Sequence, residues 1–164
     1  MSGSAPQPSP SDAVVAMRSW PRRYRSELLP IDDPIVEARA VTIGPRGRSA
    51  TDLAADTVRS LALLERALHD VLVTETPILH PAVLDRAGRH WEAAVVEGPQ
   101  AVLDQLDDRS TSFAAAIERT AATEWSRTGT CAGRSVTALD LVCEAVDTAA
   151  VNLRLMTALL ASLD

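Results

Sequence analysis

Aromatic residues are scarce in this chain: three Trp, one Tyr and one Phe are the whole set. The apolar share of 46% is therefore carried by Ala, Leu and Val, in stretches that suit helices better than sheets. Lysine is missing altogether, and all sixteen basic residues are Arg; this reads as the codon bias of a GC-rich bacterium, because no single site would demand it. The arginines are scattered and the net charge is −6, which excludes a phosphate-tracking nucleic-acid surface. No apolar run reaches the length of a membrane span, and no basic-then-apolar leader opens the chain. Two cysteines, Cys131 and Cys143, make neither a disulfide framework nor a C-x-x-C motif, so a reducing cytoplasm is the expected setting. His69, His80 and His90 have no i, i+3 or i+4 pairing and form no helical metal motif. A G-x-S-x-G elbow, a P-loop and a dinucleotide fingerprint are all absent, and "GPRGRS" at 44–49 lacks the glycine spacing of any of them.

What is present is helical periodicity. The Ser/Pro-rich residues 1–11 read as a disordered tail, and 12–164 as one domain large enough to bury a core. A first helix is expected from a Ser11 cap through "DAVVAMRSWPRRYRSELL", kinked or divided at Pro21. Residues 30–48, with three prolines and two glycines, read as a long connection. Ser49 and Asp52 resemble a capping box, after which Leu53, Thr57, Leu61, Leu64, Leu68 and Val71 recur at helical spacing to about Val73. A shorter helical stretch is expected over 82–97, with His90 and Trp91 placed to pack or stack. Pro99 opens a third long helix with Leu103, Leu106, Phe113 and Ile117 on one face. A glycine-containing loop, "RTGTCAGRS", leads to the last helix at about 136–162, whose seam is read as Leu139, Val142, Val146, Ala149, Leu153, Met156 and Leu160. Four principal helices and no convincing strand define an all-α four-helix bundle. With Val146 as the seam centre, Asp140, Glu144 and Asp147 fall opposite it and read as a solvated face.

From "EWSRTGTCAGRSVTALDL" onward the chain resembles the DinB superfamily, in particular its actinobacterial, mycothiol-dependent maleylpyruvate isomerase-like branch. Trp125, Arg127, Thr128, Gly129, Gly133 and Thr137 carry the likeness, supported more loosely by "PRRYRSELL", "SATDLAADTVRSL" and "TETPILHPAVLDRAGRHW". The resemblance implies a four-helix bundle with a divalent metal held by three histidines. In this chain those positions are Asp56, Asp147 and Val151, with Asn152 at the adjacent family histidine. Val151 has no donor atom, so a three-histidine site cannot form. A hard cation at Asp56 and Asp147 would need waters and Glu144 or Asn152 to complete its shell; a metal-free cleft is the expectation adopted.

The function expected from this reading is an enzyme acting on a small organic substrate by isomerisation, cyclisation or group transfer. Asp56 and Asp147 would handle protons, Asn152 or Arg154 would orient a carbonyl or carboxylate, and Trp125 would support the adjoining loop. One alternative is a mycothiol-dependent S-transferase or isomerase, which would need the metal. The other is a non-catalytic binding or assembly protein, with the Leu-rich end compatible with a homodimer.

Overall fold

A computed structural model describes residues 6–30, 34–87, 89 and 97–164. Five helices are formed: α1 (Pro10–Leu28), α2 (Pro34–Ala40), α3 (Ala50–Val73), α4 (Pro99–Arg119) and α5 (Ala138–Ser162). The long helices α1, α3, α4 and α5 make a bundle in which α1 and α3 each pack against both α4 and α5. The chain therefore steps diagonally from α1 to α3 and again from α4 to α5. Diagonal steps need long connections, whereas an up-down bundle joins neighbours through short loops. No described helix is long and apolar enough to cross a membrane.

Three of the four long helices start with the same device. Ser9 with Asp12, Ser49 with Asp52, and Thr137 with Asp140 each form a reciprocal capping box. In each, a hydroxyl accepts the third helical N–H while the acid accepts the cap residue's N–H. Helix α1 is thus capped by Ser9, two residues ahead of the expected Ser11 cap, and it runs through Pro21 as a single element. Helix α2, unforeseen in the 30–48 connection, begins on Pro34, whose fixed φ suits a first helical position. The stretch expected to be helical over 82–97 falls largely outside the described residues, as do His90 and Trp91. Its first part is a 3-10 turn, Pro81–Val83.

The expectation of no strand is corrected by a three-stranded sheet. Strand β1 (Ile78–Leu79) runs parallel to β2 (Thr128–Cys131), which pairs antiparallel with β3 (Arg134–Thr137). Ala132 and Gly133 lie between β2 and β3 with φ of 48° and 78°. Two consecutive left-handed residues make the turn that suits a two-residue hairpin. The hairpin hides in a sequence read as a loop because its strands are four residues long and rich in Thr, Gly and Ser.

The core is the shared interior of the four long helices. Tyr24, Phe113, Met17, Leu64, Leu106 and Met156 are among its fully buried side chains. On α5 the buried face includes Ala138, Leu141, Ala145 and Thr148 as well as Val142, Ala149, Leu153 and Met156. Leu139, Val146 and Leu160 are only partly covered. The inward face is thus centred near Ala145, about 50° around the helix from the expected seam. Small residues were responsible: Ala and Thr score weakly as apolar, yet they let helices approach closely.

The hairpin yields a direct test. A Cβ on Gly129 would lie 3.1 Å from both the Leu79 side chain and the Pro77 carbonyl oxygen, and that carbonyl is already bonded to Thr130 N–H at 2.8 Å. Gly129→Ala is expected to destabilise the fold by about 1–3 kcal/mol, the usual range for overpacking, measured by chemical denaturation.

Candidate functional site

A buried polar junction ties α1, α3 and α5 together. The Tyr24 hydroxyl donates to the Ala149 carbonyl at 2.7 Å and lies 2.8 Å from Thr57 Oγ1. Asn152 Nδ2 donates to the same Thr57 oxygen at 3.0 Å. With the tyrosine proton given to Ala149, the Tyr24 oxygen is left as acceptor, and the single Thr57 proton is shared between it and the Leu53 carbonyl at 3.2 Å. Burial raises the Tyr24 pKa well above its ordinary value, so the phenol is neutral. Of the residues expected to bind substrate, Asn152 therefore spends its amide N–H inside the bundle.

One turn further toward the start of α5 the polar stripe continues through Thr148 to Glu144, where it meets two arginines that the sequence reading missed. Arg86 grips Glu144 with two bonds, Nε to Oε1 at 2.8 Å and Nη2 to Oε2 at 3.0 Å. Arg89 adds a contact from Nη2 to Oε1 at 3.1 Å and reaches Thr148 Oγ1 at 3.2 Å. The Arg89 side chain is only 2% exposed, and the carbonyls of Ala82 and Val83 at 2.7 and 2.8 Å take its other N–H groups. Burial pushes the Glu144 carboxyl up, but Arg86 and then Arg89 pull it below its ordinary range. Burial lowers the Arg89 pKa, and Glu144 opposes that shift.

The three acids read as one solvated stripe thus separate. Asp140 caps α5, Glu144 turns inward, and Asp147 stays exposed beside Arg86 at 3.9 Å. A sequence signal for Glu144 existed in its i, i+4 step to Thr148 and on to Asn152. Nothing in the sequence pointed to Arg89 as its partner.

Asp56 occupies separate ground. It is half-buried on α3, with Oδ2 accepting from Arg48 Nη2 at 2.7 Å and Oδ1 facing Arg59 Nη1 at 3.8 Å. Oδ1 is buried and accepts no hydrogen bond. Burial raises the Asp56 carboxyl above its ordinary value despite the hydrogen bond and charge of Arg48. Asp56 and Asp147 are accordingly held by different arginines. Arg154 is exposed and lies along a groove between α1 and α5 with Arg22 and Arg23. Trp125 packs on the core, and its carbonyl accepts from Leu139 N–H at 3.3 Å.

The residues that carry the family likeness are structural. Arg127 Nε donates to the Val71 carbonyl at 3.0 Å and so satisfies the end of α3. Thr128 and Gly129 form β2, Gly133 makes the turn, and Thr137 caps α5.

No family model and no curated protein matches the chain by sequence. A solved structure matches by fold: YfiT from Bacillus subtilis, described as a probable metal-dependent hydrolase with an unusual four-helix bundle topology. The TM-score is 0.77 at 12% identity, over 99% of this chain and 92% of that one. The chain has the YfiT fold. At that identity the likeness shows the fold alone.

Whether this chain suits a divalent metal can be judged from its donors. Asp56 faces two guanidinium groups, which would repel a cation, and Val151 offers no donor. The Asn152 amide is turned to Thr57, and among the described residues no three His, Cys, Asp or Glu side chains gather to hold a metal. The donor set at these positions does not fit the ion.

Two outcomes are expected. Glu144→Gln, which leaves Arg89 buried without its counter-charge, should cost about 3 kcal/mol. The wild-type carboxyl sits below its unfolded value, so its stabilisation is present above the ordinary glutamate value of 4.5 and is lost as pH falls below it. The variant's melting temperature should therefore decline less steeply over that acidic range. Thr57→Val and Tyr24→Phe should each cost about 1–2 kcal/mol, and the double variant less than their sum, measured by thermal unfolding.

Proposed function

We propose that this chain is a metal-independent enzyme of DinB-like fold, acting on a small organic substrate by acid/base chemistry centred on Asp56. The observation that supports it is a half-buried carboxyl with one oxygen unbonded and the other held by an arginine. Burial raises the carboxyl's proton affinity, which makes it a stronger base when ionised. Arg48 orients the carboxylate and supplies positive charge next to it, where an enolate-like or carboxylate oxygen would be stabilised. Asp56 alone takes the proton-handling role, since Asp147 is exposed and engaged by Arg86. An isomerisation suits one such group: it removes a proton from carbon and returns it elsewhere on the same substrate. The W-x-R-T-G run supports a place in the maleylpyruvate isomerase-like branch, the lysine-free composition a GC-rich bacterial source, and the two free cysteines a reducing cytoplasm. The thiol-transferase form of that branch would need the metal its donors do not suit.

A second reading is a non-catalytic assembly protein. Ile35, Val41 and Ile43 are 69%, 50% and 61% exposed around α2 and the segment after it, an apolar surface that a second copy would cover. A dimeric solution mass that falls to monomer on Ile43→Asp supports this reading; a monomeric wild type removes it.

Two measurements test the enzyme. Protein purified without added metal or chelator should carry no stoichiometric divalent metal by elemental analysis, and one ion per chain would overturn the metal-independent reading. In a screen of small carbonyl compounds, Asp56→Asn should lose at least about 100-fold in turnover of any substrate found. The raised carboxyl favours the folded state at low pH and loses that contribution as pH rises through its folded value. Asp56→Asn should therefore fold at least as stably relative to wild type at neutral pH as in acid, so that lost turnover is not lost folding.

A further inference from the structure

Of the "GPRGR" segment at 44–48 only Arg48 enters the chemistry above, yet the whole segment is a formed element. Gly47 N–H donates to the Gly44 carbonyl at 3.0 Å, and Gly44 N–H to the Arg48 carbonyl at 2.9 Å. Gly47 supplies the positive φ of 73° that the turn needs. A Cβ on Gly44 would collide with the Leu159 side chain, so the bare backbone there lets the turn seat against α5. Between the turn, α3 and the last part of α5 is a cleft of about 300 Å³. Its walls include Leu53, Leu155, Ala158 and Leu159, and its rim carries Arg46 and Arg48.

These two halves ask for different things from a ligand. The walls are aliphatic, and Leu155 remains 39% exposed in spite of them. The rim is cationic. Arg48 is held in place by Asp56 and by the Asp52 carbonyl at 3.3 Å, whereas Arg46 has no carboxylate partner among the described residues. Arg48 already faces Asp52 and Asp56, so among the described residues Arg46 is the rim arginine left without a carboxylate. The volume lies at the lower end of small-molecule sites.

We propose that this cleft binds a small amphipathic carboxylate, its aliphatic part between Leu53, Leu155 and Leu159 and its anionic head on Arg46 and Arg48. The occupant is a medium-chain or branched organic acid rather than a neutral lipid, because only an anion uses the unbalanced arginine. The site does not rest on the catalytic reading, since binding is measurable without turnover.

The test is calorimetric titration of the full chain with octanoate and with octan-1-ol, which share the chain and differ in charge. Octanoate should bind saturably and octan-1-ol at least about tenfold more weakly, the usual worth of a charge-assisted bond. Arg46→Gln should bring octanoate down to within a few-fold of the alcohol. Ala158→Phe, at an exposed helical position, should fill the cleft and abolish binding. Equal affinity for the two probes, no saturable octanoate binding, or undiminished binding in Ala158→Phe would each overturn the proposal. Asp56→Asn should keep octanoate binding, because it frees Arg48; turnover lost there with binding retained separates the two sites' failures.

Discussion

One hydroxyl sets the geometry on which the rest depends. Tyr24 is the only tyrosine in the chain, and it is fully buried. Its oxygen joins α1 to Thr57 on α3 and to the Ala149 carbonyl on α5. A buried hydroxyl without partners would cost more than the bond contributes, so these three helices share one rotation and one register. That constraint turns Asn152 toward Thr57 and, by helical geometry, brings Ala145 and Thr148 inward with it. Asp147 then points outward and Val151 lies to the side.

Charge in this protein is organised by arginine. Glu144 lies between Arg86 and Arg89, and Asp56 between Arg48 and Arg59. A guanidinium brings a fixed fork of donors and stays protonated when buried, so it can hold a carboxylate where a metal ion otherwise would. The two settings differ in outcome. At Glu144 the arginines outweigh burial and the carboxylate is structural. At Asp56 burial outweighs the arginine and the carboxyl is left with an unbonded oxygen. The same residue types thus yield a clamp in one place and a half-buried carboxyl with an unbonded oxygen in another.

The segment that carries the resemblance is built for folding. Arg127 closes the end of α3, Gly129 admits the neighbouring strand, Gly133 makes the turn and Thr137 starts α5. These positions keep the diagonal crossing from α4 to α5 in place, whatever chemistry the bundle performs. The likeness to YfiT, at 12% identity, is likewise one of fold alone.

The sequence by itself determined the helices and their starts. Ser49 with Asp52, Pro99, and the spacing of Leu61, Leu64, Leu68 and Val71 are local signals, read within a turn or two of their own position. The four-helix bundle followed from them, whereas Asp56 became a position of interest only through the family resemblance. The short sheet escaped because four-residue strands of Thr, Gly and Ser have no periodicity to show. Only the tertiary structure decided which face of α5 is buried, since Ala145 and Thr148 count for little in isolation and become core when Tyr24 and Thr57 stand opposite. It also decided that Arg89 belongs to Glu144, and that Arg154 leaves the neighbourhood of Asn152 for a different groove. Those are pairings across 55 residues of chain or between separate helices, and a side chain's partner at that distance is set by packing, which no local pattern encodes.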